Sequence, residues 1–134
     1  MKKIIFLFVF ISFLSGCAGS PVGNLITNQR NETMRDRMQS WVGASSDELI
    51  TSWGPPSNQS KLSNGSHLIV YESSWDTYRK GGTYSFYTNY CVQKFLIERN
   101  IVSKWGLSGG CKRYPKNPKL LPTTTAIPEP TLAE

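Results

Sequence analysis

The rhythm of hydrophobic and polar positions changes several times along the chain. Residues 4–14 are apolar in ten of eleven places, with only Ser12 polar. A helix that crosses a bilayer needs about 20 such residues. The run is too short for that, and behind Met1-Lys2-Lys3 it reads as the apolar core of a secretory signal. From Ala18 to about Asn31 the chain is rich in Gly, Ser, Asn and Pro, the composition of a flexible tether. A helical stripe follows: Met34, Met38, Trp41 and Val42 fall at i, i+4, i+7 and i+8, with Arg35, Asp36, Arg37 and Gln39 off the stripe. Gly43 is placed to end that helix in the left-handed conformation. Ser45-Ser46-Asp47-Glu48 has the spacing of a capping box, Ser45 as N-cap and Glu48 three residues on. Its acids also complement the helix dipole. Leu49, Ile50 and Trp53 form the apolar face of this second helix, and Gly54-Pro55-Pro56 stops it.

Beyond Pro56 the period shortens. A short edge limb over about 59–62 leads into Asn64-Gly65, a hairpin turn, and then into the β-rich run His67 to Tyr71. Trp75 to Gly82 carries Asp76, Arg79, Lys80 and Gly81-Gly82 and reads as a loop. Thr83 to Glu98 is a long strand rich in Tyr, Phe and Thr, although Leu96 breaks the alternation of Phe95 and Ile97 with Lys94 and Glu98. Arg99-Asn100 makes the next turn, with Asn100 tolerating a positive φ, and Ile101 to Leu107 is the last strand. Lys112 to Glu134 holds five prolines and the run Thr123-Thr124-Thr125, which predicts an extended, disordered tail. Helices followed by strands argue for an α+β fold. Two short helices are expected to pack on a three- to four-stranded antiparallel sheet. The expected organisation is a signal peptide over 1–16, a tether over 17–31, a folded domain over 32–111 and a proline-rich tail over 112–134.

Composition then narrows the picture. The chain has 134 residues, one domain's worth, and 39% of them are apolar. That excludes a large two-domain enzyme and a polytopic membrane protein. Leu14-Ser15-Gly16-Cys17 closes the apolar run and resembles a bacterial lipobox. The resemblance implies cleavage before Cys17 and acylation of that cysteine, hence a protein anchored to a membrane without spanning it. Ala18, rather than Asp, after the modified residue resembles an outer-membrane address. Losing Lys2 and Lys3 with the signal takes the formal charge from +6 to +4. Three cysteines is an odd count, and lipidation of Cys17 leaves Cys91 and Cys111 in a compartment that permits disulfides. A disulfide between them is the favoured reading; a pair of free thiols or two metal ligands is the competing one. A metal site would want further Cys or His nearby, and His67 is the one histidine in the sequence.

Candidate chemistry is sparse. His67 lies in a strand pattern with no nucleophile marked beside it, and Asp47 and Glu48 are accounted for by capping. Gly81-Gly82 and Gly109-Gly110 lack the rest of a phosphate-binding motif. The chain is therefore expected not to be an enzyme and to carry no cofactor and no metal. Trp41, Trp53 and Trp105 fall at patterned positions and are assigned to the core. Trp75, Tyr78 and Arg79 gather in one predicted loop and, as residue types that anchor interfaces, form the candidate binding surface. Lys112, Arg113, Lys116 and Lys119 make the tail basic, a composition suited to anionic lipid, lipopolysaccharide or cell-wall polymer, or simply to a solvated linker. Nucleic acid is not expected as a partner for a modestly charged protein outside the cytoplasm.

Trp41-Val42-Gly43, then Ser45 to Leu49, Trp53-Gly54-Pro55, Asn64-Gly65 and Tyr71, together with Cys91, Phe95-Leu96-Ile97-Glu98, Asn100, Val102, Trp105, Gly109 and Cys111, resemble the SmpA/OmlA (BamE-like) family of small bacterial outer-membrane lipoproteins. The resemblance covers about residues 38–111. It implies two helices followed by three strands, an outer-membrane lipoprotein on the periplasmic side, and no catalytic residue. The chain departs from the family pattern at Asn100, where glycine is usual, in its cysteine pair and in its proline-rich tail. The expected task is a protein-interaction or scaffold module in an envelope assembly, with an envelope protein as partner. Two helices on a sheet also resemble the repeated unit of β-lactamase inhibitory proteins, so the alternative is an inhibitor of a periplasmic enzyme or of a secretion or conjugation complex.

Overall fold

A computed structural model describes residues 27–79 and 85–132. The signal segment 1–16, Cys17 with most of the tether, and residues 80–84, where the expected loop ends and the expected long strand begins, lie outside the described residues. The described chain forms two compact units, one of Thr33–Lys116 with Ile127–Glu134, the other of Asn117–Ala126 with the chain up to Glu32.

The larger unit is α+β. Helix α1 (Met34–Gln39) is capped by Thr33, whose side chain and that of Asp36 form a capping box. It is shorter than the stripe to Val42 suggested. Trp41 and Val42 close i→i−3 bonds onto Met38 and Gln39, so the last turn tightens and leaves the helix before Gly43 turns at φ +93. Helix α2 (Ser46–Trp53) begins at the expected box, Ser45 with Glu48, and ends at Gly54. Four antiparallel strands follow: β2 (Asn58–Lys61), β3 (His67–Arg79), β4 (Ser85–Glu98) and β5 (Ile101–Gly109), paired in that order.

Both helices cover one face of the sheet. Met38 and Leu49 from the helices meet Ile69, Tyr71, Phe95, Ile97, Val102 and Trp105 in one buried cluster. Burying side chains of that size is worth about 1.5–3 kcal/mol each. Trp105 is fully buried, and its indole Nε1 donates to Gln39 Oε1 at 2.7 Å. Trp41 and Trp53 are half-buried against the cluster and stack edge to face at 6.2 Å. The awkward Leu96 has a geometric cause. The register shifts between Leu96 and Ile97, which pair with Lys104 and Val102 and leave Ser103 over in β5. That bulge lets Val102 and Trp105, three residues apart, face the same core. Arg99 and Asn100 both have positive φ, 51° and 65°, as a two-residue hairpin turn of the primed kind requires.

Two expectations are corrected. The segment 75–79 is not a loop: β3 runs through to Arg79, paired with β4 residue for residue. The proline-rich tail is not free of structure either. In the smaller unit β6 (Leu120–Pro122) pairs with β1 (Gln29–Asn31), which also gives the last residues of the tether a strand. In the larger unit Thr131 and Leu132 donate their backbone N–H groups to Trp105 O, both at 2.9 Å. Backbone pairing holds these parts of the segment in place.

Candidate functional site

β2 reaches along β3 only to Val70, and β5 reaches along β4 only to Cys91. Beyond those points Ser73–Arg79 and Ser85–Cys91 continue together as a two-stranded ribbon. The buried core residues of β3 stop at Tyr71 and those of β4 at Cys91. The ribbon is therefore an arm that extends past the covered part of the sheet.

Its root is fixed three times over. Cys91 and Cys111 are joined in a disulfide with Cα atoms 4.5 Å apart. Gly110 N donates to Tyr90 O at 2.7 Å. Gly109, at φ +83, lies so close to the arm that a Cβ there would stand 2.4 Å from Tyr90 O. Only glycine fits both the conformation and the approach. Along the arm, Thr88 Oγ1 donates to Asp76 Oδ1 at 2.7 Å, and Asn89 Nδ2 donates to Thr77 Oγ1 at 3.0 Å. The rings of Tyr78 and Phe86 meet at 5.0 Å.

The arm is aromatic and wet. Tyr78 is 74% exposed, Phe86 64%, Tyr90 63% and Tyr87 52%. Residues directly opposite in an antiparallel pair share a face, and Tyr78 pairs with Phe86 while Ser74 pairs with Tyr90. Tyr78, Phe86 and Tyr90 thus stand on the face away from the helices. Trp75 and Tyr87 stand on the other. Large exposed rings on a strand pair are unusual on a surface that meets only water, and they are the residue types that anchor interfaces.

The three residues expected to form a binding loop do not come together. Tyr78 and Trp75 point to opposite faces, and Arg79 closes β3. Trp75 is half-buried, with Lys112 Nζ 5.0 Å from its ring centre, a contact worth about 0.5–1 kcal/mol at such a site. Phe86 and Tyr90 share the face of Tyr78 instead, and Tyr87 is exposed on the face of Trp75. Sequence reading missed Tyr87 and Tyr90 because it took residues 75–82 for a loop and so had no register with which to set β4 against β3.

Elsewhere several of the side chains with chemistry are engaged by neighbours. A cavity of about 400 Å³ is lined by Arg35, Lys112 and Arg113 with Met34, Leu107 and Ile127. Arg35 is held by both oxygens of Glu129 at 2.8 Å, and Arg113 lies over the Tyr114 ring at 5.3 Å. A second cavity of about 470 Å³ contains His67, Asp47, Arg99 and Ser46. There the Ser46 hydroxyl donates to Asn100 Oδ1 and pins the Arg99-Asn100 turn to α2. Glu48 accepts from Ser45 N at 3.0 Å, in its capping role. Among the described residues no three His, Cys, Asp or Glu side chains gather as a metal site would need.

Residues 1–18 match the model of a prokaryotic membrane lipoprotein lipid attachment site. The chain is a bacterial lipoprotein. Cys17 is the cysteine within the matched segment, so the anchor precedes the folded part by the tether. No curated protein and no solved structure matches the chain. No helix among the described residues is long and apolar enough to cross a membrane.

Proposed function

We propose that this lipoprotein is carried on the periplasmic face of the outer membrane and works there without catalysis, its α+β domain serving as a protein-interaction module in an envelope assembly. The observation that carries the reading is the arm: a ribbon rooted by a disulfide and two close backbone contacts, presenting Tyr78, Phe86 and Tyr90 on one face to solvent. A rigid ribbon with exposed rings loses little side-chain entropy when it docks, which is what an interaction surface needs. The resemblance of residues 38–111 to SmpA/OmlA lipoproteins supports the same reading, as does Ala18 behind the acylated cysteine for the choice of membrane.

The test is site-specific photo-crosslinking in living cells, with the reactive side chain placed at Phe86 or Tyr90 and, as control, at exposed Thr51 on α2. Adducts from the arm positions with subunits of a membrane-embedded envelope complex, absent from Thr51, are expected. Adducts with one soluble periplasmic enzyme would replace the scaffold reading with inhibition of that enzyme. Equal labelling from all three positions would overturn the arm as the surface. Density fractionation of the envelope tests the address: the wild-type chain goes with outer membrane, and Ala18→Asp moves it to inner membrane.

A further inference from the structure

The two edges of the arm differ from each other. Elsewhere the outer edge of β5 is met by the chain itself, and the free edge of β2 is only four residues long and carries Lys61. On β5, Gly43 N donates to Val102 O, Val102 N donates to Ala44 O, and Ser45 bridges Ile101. Further along, Trp105 N donates to Thr131 Oγ1 at 3.0 Å, and Leu132 lies where a Cβ on Gly106 would come within 3.0 Å of it. On β3, β2 covers His67 to Val70 and Ser57 Oγ accepts from Glu72 N at 3.0 Å. Uncovered strand edges invite pairing with another chain, and proteins guard them with cover or charge.

Among the described residues the arm has neither cover nor charge along β4. Among the described residues no strand lies beside Ser85 to Asn89 on the side where β5 ends. The direction of the free groups follows from the ladder. Tyr90 O accepts from Gly110 N on that side, so the alternate residues Phe86 and Thr88 turn their N–H and C=O groups the same way. Their own cross-strand pairs, with Tyr78 and Asp76, are of the kind that exchanges no backbone bonds and brings side chains close, as the ring contact and the Thr88–Asp76 hydrogen bond require. The β3 edge of the arm carries Glu72 and Asp76, which would face like charges in a symmetric pair. Ser85-Phe86-Tyr87-Thr88-Asn89-Tyr90 carries no charge.

We infer that two copies of this chain join edge to edge through the β4 side of the arm, antiparallel about a two-fold axis at Tyr87. Gly110 fills the space beside Tyr90 and limits the pairing to residues 85–89. That places Phe86 against Thr88 of the other copy and Thr88 against its Phe86, each pair exchanging two backbone hydrogen bonds. The axis stands perpendicular to the sheet, so both faces with exposed rings come to the same side. The second copy thereby adds its Tyr78, Phe86 and Tyr90 to the surface proposed above. The inference rests on the arm as the interaction surface but concerns its edge, and the two can fail separately.

The test uses the full lipidated chain, in envelopes and purified in detergent. Tyr87→Cys lies on the axis in a pair with Cα atoms about 4.5 Å apart, within reach of a disulfide. It is expected to oxidise to a covalent dimer, and Tyr78→Cys is not. By sedimentation, Thr88→Pro removes two hydrogen bonds of the symmetric pair and none between β3 and β4. It should raise the dissociation constant about tenfold or more. Thr88→Val keeps the N–H and serves as control for the lost hydroxyl, with far-UV circular dichroism checking that both variants fold. A monomer at all concentrations, a dimer untouched by Thr88→Pro, or crosslinking through Tyr78→Cys instead would each overturn the inference. Photo-adducts from Phe86 to another envelope protein in a monomeric chain would leave the proposed function standing without it.

Discussion

Gly109 gives the sharpest test of how the arm is rooted. Gly109→Ala introduces two costs that can be separated. The first is conformational: a Cβ at φ +83 costs about 1–2 kcal/mol in the left-handed region, and restriction of the unfolded chain returns about 0.4–1 kcal/mol. The second is steric. The new methyl would stand 2.4 Å from Tyr90 O and 3.2 Å from its carbonyl carbon. Tyr90 O cannot simply give way, because it accepts from Gly110 N at 2.7 Å and the next residue is the disulfide Cys91. Relief has to come from backbone displacement, at about 1–3 kcal/mol as in other overpacked sites. Gly109→Ala should therefore cost about 2–4 kcal/mol. Gly43→Ala is the internal reference. It has φ +93 and no atom within 4 Å of its would-be Cβ, so it carries the conformational cost alone, about 1 kcal/mol. Urea unfolding of both variants and the wild type, followed by tryptophan fluorescence with the slope held in common, measures the difference. If Gly109→Ala is no more destabilising than Gly43→Ala, the close approach of β5 to the arm at Tyr90 is wrong.

Replacing Cys91 and Cys111 together by alanine opens a loop with a sequence separation of 20 and should lower stability by about 3 kcal/mol; an unchanged urea midpoint would refute that. Burial raises the Tyr71 phenol above its ordinary 10.0, and the hydroxyl donates to Gly54 O at 3.0 Å. A raised folded-state value means its contribution is intact below pH 10 and is lost as pH rises beyond that. Tyr71→Phe should cost about 1 kcal/mol at neutral pH, and the gap to wild type should narrow in alkaline urea titrations; a constant gap would count against the buried hydroxyl. Cys17→Ala should leave the chain out of the membrane fraction after alkaline extraction, and retention there would sink the assignment of the anchor to that cysteine.

What the sequence disclosed, and what it hid, follows from where side chains are buried. Helix α2 was legible to the residue because its start and stop are local chemistry, the Ser45–Glu48 box and Gly54 before two prolines. Trp105, Phe95 and Ile97 were legible because one covered face writes an alternation into the strand. Leu96 was a visible irregularity whose meaning, the Ser103 bulge, needed the register of β5. The arm was hidden for the opposite reason. A ribbon exposed on both faces has no inside, so Trp75-Asp76-Thr77-Tyr78-Arg79 shows no in–out period, and its charges and the glycines after it imitate a loop. The tail was hidden because Thr131 and Leu132 are held by backbone groups of Trp105, and backbone pairing leaves no mark on composition.

The anchor and the arm then bear on one another. On the proposed reading the surface is small: three rings on one ribbon face, against about 20–30 residues a side in a standard interface. Such a contact is weak between freely diffusing molecules, because association costs several kcal/mol of lost translational and rotational freedom. A lipid on Cys17 removes much of that cost in advance by confining the chain to the membrane that carries its partner. A short span between the anchor and the fold then sets an effective concentration on the order of millimolar. The same confinement acts on two copies meeting edge to edge at Thr88. A soluble chain bearing Cys17→Ala should accordingly keep the fold, its melting point and the geometry of the arm, yet lose the arm's crosslinks in the cell. If the unanchored chain crosslinks from Phe86 as efficiently as the lipidated one, the arm binds tightly by itself, and the weight of the function shifts from the membrane to the ribbon.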